Sequence, residues 1–385
     1  MTQAPLDGIV VVALEQAISA PFATRHLADL GATVIKVERP EGDFARHYDS
    51  LVKGQSAFFV WANRGKQSVA LDLKEADDLA AFRGLIAGAD VFLHNLSPQA
   101  AVRLGIDAET LHAAHPSLVA VEISGYGHGG PRMDDKAYDL AIQAEAGVFS
   151  VTGSEEMSKV GFSVADICSG MYALSSILAA LLRRDRTGEG AAIQVSMLDA
   201  LAEWMSAPLY ATVYGDGQAP RTGRRHHAIA PYGTFKLSDG STVLIAIQND
   251  VEWRSMAEHV LLDASLGTDE RFATNAQRIA NVDVLESLLG EQLAGMTADD
   301  ARQRLARGRI VTARVNDLQD LWAHEQLRER GRFVDVETPG GTVEMLASPF
   351  DISGWTPPPT RVPALDEHDD AVLAEIRRRG ELPRE

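Results

Sequence analysis

Residues 9–37 read IVVVALEQAISAPFATRHLADLGATVIKV, and the order of signals in this stretch decides the fold class. Ile9 to Leu14 is a β-branched strand signal, Pro21 to Leu30 reads as a helix closed by Gly31, and Thr33 to Val37 is a second apolar strand. A strand, a helix and a strand at this spacing form a βαβ unit, whose strands are parallel and whose crossover is right-handed. The rhythm continues outward through a strand at Ser68 to Leu73 and a helix near Ala76 to Ile86. Strands at Asp90 to His94 and Leu118 to Ser124 follow. An α/β domain built on an open parallel sheet, with helices on both faces, is the expected architecture.

This Rossmann-like pattern arrives without the glycines of a dinucleotide site. The first strand-to-helix turn reads EQAISAPFA rather than G-x-G-x-x-G, and no G-x-x-x-x-G-K-[ST] occurs. Function therefore has to come from the site and not from the fold. Further along, a helix is expected from about Gly170 to Arg184, with Ala173, Ile177, Ala180 and Leu181 as its buried stripe. The turn Thr187 to Gly190 leads to a strand at Ile193 to Val195 and a helical stretch from Leu198. The polar run GDGQAPRTGRR, Gly215 to Arg225, reads as a linker. Beyond it, FKLSDGSTVLIAIQ is a hairpin signal around Ser238-Asp239-Gly240. Helices follow to about Arg307, then a short strand at Ile310 to Val315, which makes a smaller α+β domain. Strand-like pieces after Arg332, the proline-rich GWTPPPTRVP and a helix at Asp369 to Arg379 complete the chain.

Composition narrows the function classes. The 385 residues carry a formal charge of −18, with 54 acidic against 36 basic side chains. Nucleic acid and anionic membrane are poor partners for such a surface, although an anionic small ligand can be held by a few gathered cations. No apolar run read from the sequence approaches the roughly 20 residues of a membrane span. Met1 to Asp7 lacks the pattern of a signal peptide. Cys168 is alone, so neither an internal disulfide nor a cysteine metal cluster is possible. A cytoplasmic protein is the expectation. No paired His/Asp spacing points to a metal, and the serine elbow G-x-S-x-G is absent.

Two segments stand out chemically. In KVGFSVADICSGM, Asp166 sits where a helix is expected to start. One reading is an N-cap, which stabilises a helix by about 1 kcal/mol. The other is a nucleophilic carboxylate, with small neighbours (Ser163, Ala165, Ser169, Gly170) leaving room for a thioester carbonyl. In GYGHGGPRMDDKAYD, the glycines allow backbone N–H groups to face an anion, while Arg132 and Lys136 supply positive charge. His128 in this loop reads as an exposed residue rather than a base. Arg39, Lys74 and Arg103 each follow or flank a strand, so they fall along one rim, and Ser97-Pro98 is a helix start. Cys168 reads as a small core residue.

These segments resemble the family III CoA-transferases, the group that includes formyl-CoA transferase and the α-methylacyl-CoA racemases. The resemblance runs from PLDGIVVVALEQAISAPFATRHLADLGATVIKVERPEGD through NRGKQSVALDLK, NLSPQAAVRLGI and KAYDLAIQAEAG to VPALDEHDDAVLAEI. It implies a large CoA-binding domain formed by both chain ends, a small inserted domain, and two subunits interlocked as a homodimer. The expected division is 1–214 for the first part of the large domain, 215–230 as linker, 231–325 as the small domain and 326–385 as the return segment. The nucleophile falls on Asp166. The implied CoA contacts fall on Ala17, Ile18, Arg39, Leu71, Leu73, Lys74, Asn95, Leu96, Ser97, Arg103, Lys136, Ala137, Tyr138 and Asp139. Coenzyme A or its thioester is then a substrate, and no permanently bound cofactor or metal is expected.

The racemase branch places a histidine before the Asp of the loop, where this chain has Tyr138. A tyrosine with its usual pKa near about 10 is a poor base at neutral pH, which favours CoA transfer over racemisation. RTGRRHHAIAPYGTF and IAIQNDVEW look most like members acting on short dicarboxylic acids: itaconate, mesaconate, succinate, malate or citramalate. Arg224 or Arg225 could pair with a distal carboxylate, or could simply belong to a basic linker. An acyl-CoA racemase or epimerase and a non-catalytic acyl-CoA-binding protein are the alternatives.

Overall fold

Six parallel strands form the central sheet: β1 (Val10–Leu14), β2 (Thr33–Glu38), β3 (Lys66–Ala70), β4 (Val91–His94), β5 (Val119–Ser124) and β6 (Ala191–Ser196). Their order is β3-β2-β1-β4-β5-β6, so the chain works outward one way from β1 and then returns to build the other side. The computed structural model describes residues 3–215, 217–357 and 360–379, with backbone alone for 375–379. The first two residues of the N-terminal segment, Asp216 of the polar stretch and Pro358 and Pro359 of the proline-rich one lie outside the described residues.

The helices of the first half are α1 (Ser19–Asp29), α2 (Ala57–Asn63), α3 (Ala76–Ala87), α4 (Pro98–Leu104), α5 (Ala108–Ala114) and α6 (Asp139–Glu145). Then come α7 (Val148–Val151), α8 (Val164–Thr187), α9 (Met197–Trp204) and α10 (Ser206–Tyr214). One face of the sheet packs Val12, Ile35, Val69 and Phe92 against Phe82, Leu85 and Ile86 of α3 and Val372 of the final helix, Asp369–Arg379. Around His368 that last segment is tied to β3: the His368 N–H donates to the Ser68 carbonyl, and Asp366 Oδ1 accepts from the Ala70 N–H.

Helix α8 begins six residues before the expected Gly170 start, and its N-cap is Ser163 rather than Asp166. Over 24 residues it is long and apolar enough to cross a bilayer by composition, which the sequence reading did not anticipate. Its most apolar stretch is largely buried inside the protein, as befits the central helix of a folded domain. It lies close against α1 because residue 170 has no side chain. A Cβ there would sit 2.6 Å from the Ser19 carbonyl oxygen and 3.2 Å from the Phe22 ring.

Two compact units make up the chain. Met1–Gly147, Val160–Ser206 and Leu327–Glu385 form one, and Val148–Lys159 with Ala207–Gln326 the other. In the second unit, an antiparallel sheet of β7 (Tyr232–Lys236), β8 (Thr242–Ala246) and β9 (Val311–Arg314) packs on helices α11 (Asp250–His259), α12 (Asn275–Ala280), α13 (Val282–Ala294) and α14 (Ala298–Arg307). Trp253, Phe272, Leu285 and Leu289 are its fully buried centre. The hairpin turn falls at Ser238-Asp239-Gly240, where Gly240 takes a φ of +83° that a side chain would resist.

Candidate active site

The reversal of strand order between β1 and β4 opens a crevice at the carboxyl ends of the strands, the place where open α/β sheets bind ligands. A cleft of about 580 Å³ occupies it. Gln16 to Ser19 after β1, Asn95 to Pro98 after β4, and Ser124 and Gly125 at the end of β5 line it, and the loop 135–139 closes one side. Asn95 joins the two central strand ends: its Nδ2 donates to the Gln16 carbonyl at 2.8 Å, and its Oδ1 accepts the Gln16 N–H at 3.0 Å. Gly125 is required here, because any Cβ would collide with the Ala137 methyl group.

Asp166 lies in this cleft on the first turn of α8, and its carboxylate accepts no hydrogen bond among the described residues. The cap reading of Asp166 is thereby corrected. The free N–H groups of the helix start are taken instead by Asp139 Oδ1, which accepts from Ala165 at 2.7 Å and from Asp166 at 3.3 Å. Burial, reinforced by the negative charge of Asp139, pushes the Asp166 carboxyl up to about 7. An environment that penalises the carboxylate favours every neutral acyl form of the same side chain.

Beneath the β1 turn lies a buried ionic cluster. Glu15 Oε1 meets Lys66 Nζ at 2.6 Å and Lys36 Nζ at 3.6 Å, and Lys36 also pairs with Asp43 at 2.9 Å. Asp43 Oδ1 in turn accepts the Ala17 N–H at 3.2 Å, holding Ala17 at a φ of +60° that non-glycine residues seldom adopt. Burial alone would strip Lys36 of its proton, but Asp43, Glu15 and Glu38 together outweigh it and raise its pKa. Lys66 touches one carboxylate, Glu15, and burial, aided by the repulsion of Lys36, brings it down to about 7.

Of the residues named from the sequence, Ala17, Ile18, Asn95, Leu96, Ser97, Lys136, Ala137, Tyr138, Asp139 and Asp166 line the cleft. Arg39, Leu71, Leu73, Lys74 and Arg103 do not. Leu71 is buried in the sheet core with Leu73 packed against it, while the three cations are exposed. Lys136 is the single basic side chain in the lining among the described residues. In the second unit, Arg225 is engaged by Asp283 at 3.2 Å and Glu286 at 3.9 Å, so its charge is already answered, whereas Arg224 is exposed. His128 is an exposed loop residue, as expected, and its Nε2 lies 2.9 Å from Oε1 of the buried Glu122. Cys168 is fully buried, and burial pushes its thiol up to about 12, consistent with an inert core position. Among the described residues, no group of three or more His, Cys, Asp or Glu is placed to hold a metal ion.

The sequence reading missed one wall of the cleft. Phe44, Tyr48 and Phe58 form a ladder of rings with centroids 5.7 and 5.6 Å apart. Tyr48 is pushed up to about 12, mainly by burial and then by the charges of Asp43 and Asp166. The available signal was three aromatic residues within the two segments that follow β2.

The CoA-transferase family III profile matches residues 6–369. An acetyl-CoA:oxalate CoA-transferase of Acetobacter aceti is 34% identical over 97% of this chain and 96% of its own length. A succinate–glutarate CoA-transferase of Agrobacterium fabrum is 32% identical with the same coverage of both chains. Among solved structures, a CAIB/BAIF family protein from Brucella suis superposes with a TM-score of 0.85 at 34% identity, covering 97% of this chain and 100% of the other.

Proposed function

Because the chain belongs to CoA-transferase family III and is an enzyme that transfers coenzyme A, we propose that it moves CoA between short dicarboxylic acids through a covalent thioester on Asp166. The observation that carries this reading is a carboxylate on the cleft wall with no structural task of its own, raised to about 7 by burial and by Asp139. Asp166 attacks the donor thioester carbonyl, giving a mixed anhydride and CoA thiolate. The thiolate attacks the aspartyl carbonyl, forming aspartyl-CoA and releasing the donor acid. The acceptor carboxylate then attacks aspartyl-CoA, and the thiolate so freed attacks the acceptor carbonyl, which restores the Asp166 carboxylate. Both covalent forms of Asp166 are neutral, so the site that disfavours its charge favours the intermediates.

Oxalate, succinate and glutarate, the acids in the relatives' names, each bear two carboxyl groups, which supports a dicarboxylate as the acceptor. Lys136 serves the CoA portion or the distal carboxylate as the cation of the cleft. Brief exposure to succinyl-CoA followed by intact-protein mass spectrometry tests the reading. An adduct of CoA less one water, mapping to Asp166 and missing from Asp166→Ala, is the expected result. Absence of any adduct with several acyl-CoA donors would overturn it.

A homodimer belongs to the same proposal. Helix α10 has no buried residue, yet it carries Leu209, Tyr210, Val213 and Tyr214, all about half exposed or more. A second copy of the chain would cover this apolar surface. Light scattering on a sizing column is expected to give twice the mass of one chain. A single-chain mass across micromolar concentrations would refute the dimer.

A further inference from the structure

Asp139 does not hold its own position at the start of α8. Its Oδ1 accepts the Ala165 and Asp166 N–H groups, while Oδ2 accepts from Nε2 of Gln143, one helical turn along α6, at 2.7 Å. Gln143 is 1% exposed. The orientation of its amide is set by a second bond: Oε1 accepts the Val160 N–H at 3.0 Å, which leaves only Nε2 to face Asp139 and, at 3.4 Å, the Phe162 carbonyl. The one side chain thus ties α6, the segment 160–162 leading into α8, and the Asp139 carboxylate together.

We infer that Gln143 is a positioning residue for CoA transfer, holding the Asp139 carboxylate against the first turn of α8 and thereby Asp166 in its reactive setting. The effect on rate rests on Asp166 being the nucleophile; the effect on Asp166 itself does not. Without the Gln143 donor, Oδ2 faces a shielded space with no partner, and the partly exposed Asp139 gains by swinging toward water. The α8 start then loses its cap, and the negative charge beside Asp166 moves away. The groups facing Asp166 are Asp139 from α6, Tyr48 from the turn after β2, Tyr138 just before α6 and Cys168 on its own helix, with Lys136 and Asp135 in the same cleft. Asp139 is the neighbouring charge that acts on the Asp166 carboxyl, adding to its burial.

Two substitutions at position 143 are expected to act in opposite directions. Gln143→Glu puts a second carboxylate against Asp139 Oδ2 and should raise the Asp166 titration midpoint by about one pH unit. Gln143→Leu releases Asp139 and should lower the midpoint by about the same amount. Carbon-13 NMR of labelled aspartate carboxyls reads this directly, with the Asp166 signal assigned by its loss in Asp166→Asn. In turnover, Gln143→Leu should lose about tenfold in kcat with KM for the acyl-CoA within about twofold. Midpoints unchanged in both folded variants, or shifted in the same direction, would overturn the inference. If the leucine variant does not fold, the sign of the Glu shift decides. A failure of the mass-spectrometric adduct test would strike the nucleophile reading alone, since the NMR titration does not depend on turnover.

Discussion

Asp166→Asn is expected to lower CoA transfer by about ten-thousand-fold or more, as loss of a covalent nucleophile does elsewhere, while making the protein more stable at neutral and alkaline pH. The two effects share a cause. The native carboxyl titrates at about 7 against an ordinary value of 3.8, so between those values the native state holds more protons than the unfolded chain. Stability contributed by the protonated form is complete below about pH 4 and is lost as pH rises through 7. An asparagine keeps the shape and never carries the charge. The side chain retains some contact with water, so the gain above pH 7 is about 2 kcal/mol, short of the full equivalent of the shift. Urea unfolding of both proteins at pH 8 and pH 4 checks it: the variant should be the more stable at pH 8 and equal at pH 4. Equal stability at both values would mean that the site does not penalise the Asp166 charge.

The second large effect is structural. Glu15→Gln should destabilise the fold by about 3–5 kcal/mol, because it leaves Lys66 buried without an anion and Lys36 with only Asp43 in direct contact. The pH dependence separates this from a simple packing loss. Lys66 titrates at about 7 in the native state against 10.5 when exposed, so the unfolded chain binds more protons between those values and native stability rises with pH across that window. In the variant, Lys66 must be neutral for the fold to close; native Lys66 is already about half neutral at pH 7, so only a small share of the deficit, about 0.4 kcal/mol, should vanish by pH 9.5. A deficit independent of pH in denaturant titrations would show that Lys66 is neutral in the native protein already. Activity should fall as well, since Asp43 of this cluster holds the Ala17 backbone at the cleft wall.

The same cluster explains one misplaced strand. The sequence placed the third strand at Ser68 to Leu73, whereas β3 runs from Lys66 to Ala70. A lysine is a poor sign of a buried strand end unless it is paired, and its partner Glu15 lies 51 residues earlier. The βαβ rhythm was readable because apolar periodicity is local; the strand order was not, because it is settled by pairing across the chain. The start of α8 failed for a similar reason. Its cap comes from Asp139, 26 positions before Ala165, so the local text around Asp166 resembled a helix boundary that the protein draws elsewhere. Within the candidate site, the strand-end segments were legible through resemblance, while Tyr48, Phe58 and Gln143 were not. An aromatic wall and a buried amide carry no spacing signal, and only their neighbours in space give them meaning.

The contact between Gly125 and Ala137 has an evolutionary consequence. Any side chain at 125, or a bulkier one at 137, lifts the 135–139 loop off the end of β5 and takes Asp139 with it. The two positions therefore behave as a single unit of inheritance. Lineages that enlarge one must reshape the other in the same step, because neither can grow while the loop keeps its seat on the strand end.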